Sequence, residues 1–332
     1  MSTPELPSTE AEWQSLAIAH NVSTTSIHKV KMLESASPLT EQQLLLLQVL
    51  FSKGDTTNFP WERFDLDRWQ DEAKTLLDGY SSWHTFCDSL GPDKMDGPIG
   101  ESIFAIAQFH MRSAAKLSDE TISSTVVVCP SLDTGRDIIN QLYQQTHDEC
   151  TVNSALFYFL VSLTVQFNLA NRWTMHQLLL QAEFNSGSFY VRTDGHLDDK
   201  ATGEVVALVD VKTVVRSQSP KAIRSHEAAQ MVAWLKNMPD RQGLLNQPGR
   251  RLHVSQNRHE IFLIFSEYGD DYMDFLENDN IDPTIEDSRA FLTMVEYGPW
   301  DTRSADDMKD LAVILVAIAL RADEDFKNER RG

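Results

Sequence analysis

Apolar positions change period along this chain, and each change predicts a different element. Up to about Lys116 they recur at helical spacing between stretches of Pro, Gly and Ser. In SPLTEQQLLLLQVLF, Thr40 can cap a helix and Gln43 can reach back to it, a capping box that predicts a helix from Thr40 to Ser52. Gly91 to Gly100 holds three Gly and two Pro, which marks a loop or a subdomain joint. Helical spacing resumes in ESIFAIAQFHMRSAAK, and a second helical block covers Asp133 to Gln145 and Val152 to about Asn168. From His176 the period drops to two. HQLLLQAEF, SFYVRTDGHL and EVVALVDVKTVV predict three strands, the last two joined by a hairpin through DDKATG. After Pro220, Ala228, Met231, Val232 and Leu235 form one helical stripe, EIFLIFSEY from Glu260 to Tyr268 predicts a further strand, and acidic helical material follows. Within it LAVILVAIAL, Leu311 to Leu320, is half the length of a bilayer crossing and predicts a buried helix.

The order is helix, three strands, helix, strand, which is α/β. The expected division is a helical N-terminal region, 1–150, and a strand-bearing domain, 151–332. With 332 residues, 42% apolar and 23% charged, the chain has the composition of a folded globular protein and not of a fibrous or disordered one. Its net charge of −20 excludes a surface that is basic all over, so any nucleic-acid contact has to be local. Cys87, Cys129 and Cys150 form no C-x-x-C pair, which argues against a disulfide framework and a structural zinc site. MSTPELPSTEAEW lacks the basic and apolar regions of a secretory leader, so a nuclear or cytoplasmic location is expected.

The chemistry concentrates on one hairpin. Asp210 and Lys212 are two residues apart on a strand and leave the same face of the sheet. The preceding strand carries Asp194, so the hairpin can bring two carboxylates and one ammonium together. Such a pair of carboxylates suits Mg²⁺ or Mn²⁺, with waters completing the shell and the lysine adding positive charge. The residues Val205, Val206, Ala207, Leu208, Val209 and Val211 are apolar on both faces, the pattern of a central strand, where a charged pair needs a reason.

These features resemble the PD-(D/E)XK nuclease superfamily over roughly Val152 to Tyr268. In that superfamily an acid ends the second core strand and an acid-x-Lys triplet lies on the third, which correspond here to Asp194 and Asp210-Val211-Lys212. TDGHL, LVDVKTVVRS and HEAAQMVAWL look like a group of uncharacterised fungal members. The resemblance implies a restriction-endonuclease-like core and metal-dependent phosphodiester hydrolysis on DNA or RNA. It also implies Asp194 and Asp210 as ligands of Mg²⁺ or Mn²⁺, Lys212 and Gln230 as further catalytic residues, and Glu183 as a candidate third carboxylate. Asp210 stands where Glu is commoner, and Thr193 stands where the motif has proline. The other reading is an inactive nuclease fold that binds nucleic acid or protein.

Charge distribution adds a candidate contact surface. Between Lys212 and Glu260 nine Lys or Arg stand against three acids, a local +6, and Arg216, Lys221 and Arg224 are the expected phosphate contacts. Glu267 to Asp310 carries a net −11, a solvated face or the contact for a basic protein partner. HEAAQ lacks the second histidine of a zinc protease motif, and phosphate-binding, dinucleotide and nucleophile-elbow motifs are missing.

Overall fold

A computed structural model describes residues 6–30, 39–117, 147–238, 249–278 and 290–331. Its described residues form a mixed α/β structure around a seven-stranded mixed sheet. The helices in chain order are α1 (Glu10–Ala19), α2 (Glu41–Leu46), α3 (Asp67–Asp78), α4 (Ser81–Asp88), α5 (Ala105–Ala115), α6 (His147–Thr164), α7 (Pro220–Asn237), α8 (Asp270–Glu277) and α9 (Ala305–Glu329). The strands are β1 (Val49–Lys53), β2 (Asn171–Thr174), β3 (Leu179–Phe184), β4 (Gly187–Arg192), β5 (Gly195–Asp199), β6 (Val205–Lys212), β7 (Arg250–Asn257), β8 (Glu260–Glu267) and β9 (Leu292–Asp301). The main sheet runs β1-β9-β8-β7-β6-β5-β2, and β3-β4 is a separate hairpin. The pairs β1/β9 and β6/β7 are parallel, and the other pairs are antiparallel.

Two apolar layers sandwich the sheet. One face carries Val209, Val211, Val254, Leu263 and Phe265 against residues of α3, α4, α5, α6 and α9. The opposite face carries Leu208, Phe262, Ile264 and Met294 against α2, α7, α8 and the β3-β4 hairpin. The expected buried helix at Leu311–Leu320 lies inside α9, with Leu311, Leu315, Val316 and Ile318 in the first layer. No described helix is long and apolar enough to cross a membrane.

Several expectations are corrected here. The capping box forms, with Thr40 Oγ1 accepting from Gln43 N–H and Gln43 Oε1 accepting from Thr40 N–H, but the helix stops at Leu46. Gln48 turns the chain at φ 52°, and the rest of the leucine-rich run becomes β1, paired along β9. An apolar run that is hydrophobic all round suits a buried strand as well as a helix, and pairing with β9 decides the matter. SFYVRTDGHL divides at Thr193-Asp194 into β4 and β5, and β2, β7 and β9 join elements read from sequence. The strand that follows α7 and lies parallel to β6 is β7, whereas the Glu260 run is its antiparallel neighbour β8. The sheet also crosses the expected boundary between 1–150 and 151–332, because β1 from the first stretch pairs with β9 from the second. The helix expected at Asp133–Gln145 lies outside the described residues.

Candidate functional site

The β5-β6 hairpin forms, and it positions the candidate residues. Gly195 opens β5 where an added Cβ would lie 2.4 Å from the Thr174 carbonyl oxygen, so a side chain here would push β5 off β2. That close approach fixes the preceding residue, Asp194. Its N–H donates to Val209 O at 2.9 Å, and its Oδ2 accepts from Val211 N–H at 2.8 Å. The Asp194 carboxylate is thereby tied to the peptide between Asp210 and Lys212. Asn153 on α6 donates to Asp194 O at 3.2 Å, anchoring the junction from the helical layer.

Asp210 is 1% exposed, and donors surround it. Lys212 Nζ donates to Oδ2 at 2.6 Å, Gln230 Nε2 donates to Oδ1 at 2.8 Å, and His226 Nε2 lies 3.3 Å from Oδ1. Burial favours the neutral acid, but the Lys212 ammonium and the hydrogen bond from His226 outweigh it and hold Asp210 well below the usual carboxylate range. Burial likewise pulls Lys212 down, yet Asp210 and Asp194 together raise it above the ordinary lysine value. Lys212 is therefore an ammonium at neutral pH, suited to stabilising charge and not to abstracting a proton. Its side chain is 24% exposed, so this end of the cluster reaches the surface.

Gln230 is fully buried on α7. It also donates to Arg192 O at 2.9 Å, while its Oε1 has no hydrogen-bond partner among the described residues. A carbonyl oxygen without a donor, on the amide that bonds Asp210, suits a hard cation better than an apolar interior. Among the described residues no group of three or more His, Cys, Asp and Glu side chains is placed to hold a metal ion. Mg²⁺ commonly takes only one or two protein carboxylates and keeps several waters, so a site on Asp194 and Asp210 would not need a third acid.

The structure thus brings Asp194, Asp210, Lys212 and Gln230 together, and it sends the remaining candidates elsewhere. Glu183 is exposed on β3, where it accepts from Gln181 at 2.9 Å. It pairs with Ser188 near the turn of the hairpin, whereas Arg192 opposes Leu179 at the other end, about 13 Å away at strand rise. Glu183 is therefore not a third ligand. Arg216 is 4% exposed and forms buried ion pairs with Glu227 and Glu296, with Asn257 Oδ1 at 2.7 Å and Ser255 Oγ at 3.1 Å. Arg224 makes two bonds to Glu296, at 3.0 and 3.1 Å, and Lys221 is paired with Glu41. All three line one groove of about 980 Å³ at the start of α7, but each is already matched to an acid, so the expected row of phosphate contacts is instead a set of structural ion pairs.

Sequence reasoning missed four members of this environment. His226 sits one helical turn before Gln230, a spacing visible in HEAAQ once the metalloprotease reading is set aside. Glu149 on α6 adds to the negative field at Lys212. His253 and Ser255 lie on β7 beside Leu208 and Asp210, both fully buried. Burial pushes His253 down to about 3 and keeps it neutral. Their signal was weak because only Leu252 and Val254 of the strand RRLHVSQN are apolar. Compared with known proteins, the chain matches no family model, no curated protein and no solved structure.

Proposed function

We propose that the protein is a metal-dependent nuclease with a PD-(D/E)XK-type centre formed by Asp194, Asp210, Lys212 and Gln230. The observation that carries this reading is the Asp194 carboxylate bonded to Val211 N–H, between Asp210 and a lysine 2.6 Å from the Asp210 carboxylate. Asp194 and Asp210 would hold Mg²⁺ or Mn²⁺, and the buried Gln230 Oε1 is an oxygen left for the ion or one of its waters. When bound, such an ion lowers the pKa of water and offsets charge on a phosphate oxygen. Lys212, protonated at neutral pH, would stabilise the negative charge that builds on the phosphodiester oxygens as water attacks. Gln230 would keep Asp210 in place through its bond to Oδ1.

A second reading has its own observation. Arg216, Lys221 and Arg224 are matched by acids, which favours a fold that has kept its hairpin without a broad phosphate-binding surface among the described residues. One experiment separates the two. The full chain and its Asp194→Ala, Asp210→Asn and Lys212→Ala variants are incubated with single- and double-stranded DNA and RNA in Mg²⁺ or Mn²⁺, and metal binding is measured by calorimetry. The nuclease reading expects cleavage that falls by about 100-fold or more in each variant. Cleavage equal in all four proteins, or site-specific metal binding absent from the wild type, refutes it.

A further inference from the structure

His226 reaches the same carboxylate as Gln230 and has no part in the roles assigned above. The two residues are one turn apart on α7 and share a face. His226 Nε2 lies 3.3 Å from Asp210 Oδ1 and 3.1 Å from Gln230 Nε2, and its side chain is 14% exposed.

Counting donors fixes the position of the imidazole proton. A Gln amide nitrogen carries two hydrogens. The acceptors nearest Gln230 Nε2 are Asp210 Oδ1 at 2.8 Å and Arg192 O at 2.9 Å, and these use both. None remains for the longer contact with His226. A bare lone pair on His226 Nε2 would then face a carboxylate oxygen at 3.3 Å and be repelled by it, whereas an N–H there is attracted.

We propose that His226 is a positioning residue that carries its proton on Nε2 and, together with Gln230, pins Asp210 Oδ1 so that Oδ2 faces Lys212 and the cation. The proposal rests on the reading of this centre as a divalent-metal site. Without His226, Oδ1 keeps a single donor from α7, Gln230, and the carboxylate is held less firmly about its terminal bond. Partners that orient a metal-binding carboxylate typically contribute 10–100-fold in affinity. His226 acts through Asp210, so its effect is on ion binding first and on turnover as a result.

The test titrates Mn²⁺ into the full chain and into His226→Ala and His226→Gln, by calorimetry and by electron paramagnetic resonance of the unbound ion. Circular dichroism checks that each variant is folded. His226→Ala should bind Mn²⁺ about 10–100-fold more weakly, and His226→Gln, which restores an N–H donor on a side chain of similar reach, should recover most of that loss. Long-range ¹H–¹⁵N spectra of histidine-labelled protein at pH 8 should show an Nε2-protonated ring whose signals vanish in His226→Gln. Unchanged Mn²⁺ affinity in His226→Ala, failure of His226→Gln to recover it, or an Nδ1-protonated ring each overturns the proposal. Absence of site-specific Mn²⁺ binding in the wild type overturns the metal centre itself. In that event the histidine spectra still report separately on the hydrogen bond to Asp210.

Discussion

Replacing Arg216 with alanine separates a phosphate contact from an internal counter-ion. The guanidinium is 4% exposed, lies 4.1 Å from the Phe262 ring centroid, and is shared between Glu227 and Glu296. After its removal Glu296 keeps Arg224, but Glu227, with 1% of its side chain exposed, loses its cation. An uncompensated buried charge of this kind costs about 3–5 kcal/mol, a large share of the 5–15 kcal/mol that holds a typical domain together. Arg216→Ala should therefore lower the unfolding free energy by that amount, read as a reduced urea midpoint at constant slope, and Arg216→Ala/Glu227→Gln should regain about 0.5–3 kcal/mol. Burial already raises Glu227 above the usual carboxylate value, with Arg216 the largest opposing influence. A folded-state pKa above the unfolded one means that stability from this group falls as pH rises through that interval. Loss of Arg216 widens the interval, so the deficit against wild type should be greatest near pH 7 and shrink towards pH 5. A deficit under about 1 kcal/mol, or one that does not vary with pH, refutes the counter-ion assignment. An arginine serving only as a phosphate contact would leave stability nearly unchanged and would instead reduce the salt dependence of nucleic-acid binding.

Two further measurements probe the two faces of the sheet. His253 is pushed from 6.5 to about 3 by burial, so the unfolded chain takes up the proton first and stability is lost as pH falls from 6.5 towards 3. His253→Leu should flatten that loss by up to about 1.4 kcal/mol per pH unit in urea titrations, and an unchanged slope would contradict its burial as a neutral ring. Leu315 is fully buried in α9, and Leu315→Ala should cost about 2–5 kcal/mol in the same assay, whereas a loss under about 1 kcal/mol would show that the helix is not held in the core.

The parts of this molecule that could be read from sequence are those where local pattern and environment agree. The strand VVALVDVK is apolar on both faces and is buried in the middle of the sheet, with Asp210 and Lys212 on one side as their spacing requires. The Thr40 capping box and the helix after Pro220 form for equally local reasons. Elements escaped notice where burial is polar or pairing is distant. In β7, His253, Ser255, Gln256 and Asn257 are almost completely covered, although a strand of such residues has the composition of a loop. Asn257 and Ser255 face Arg216, so their partners arrive from a segment some forty residues earlier. The basic stretch failed as a guide for the same reason, since net charge does not reveal that Arg216 and Arg224 meet Glu296 on β9. The acidic stretch misled in turn, because it contains β9 itself, with Glu296 only 7% exposed.

The parallel register of Val49–Lys53 along Leu292–Glu296 has a consequence for synthesis on the ribosome. The margin of the sheet nearest the beginning of the chain can acquire its neighbour only after more than two hundred further residues have been translated. Until then Leu50 and Phe51 must be kept from other partners, and a piece expressed from residue 151 onward would expose the flank of Leu292–Glu296 as a ready template for intermolecular stacking.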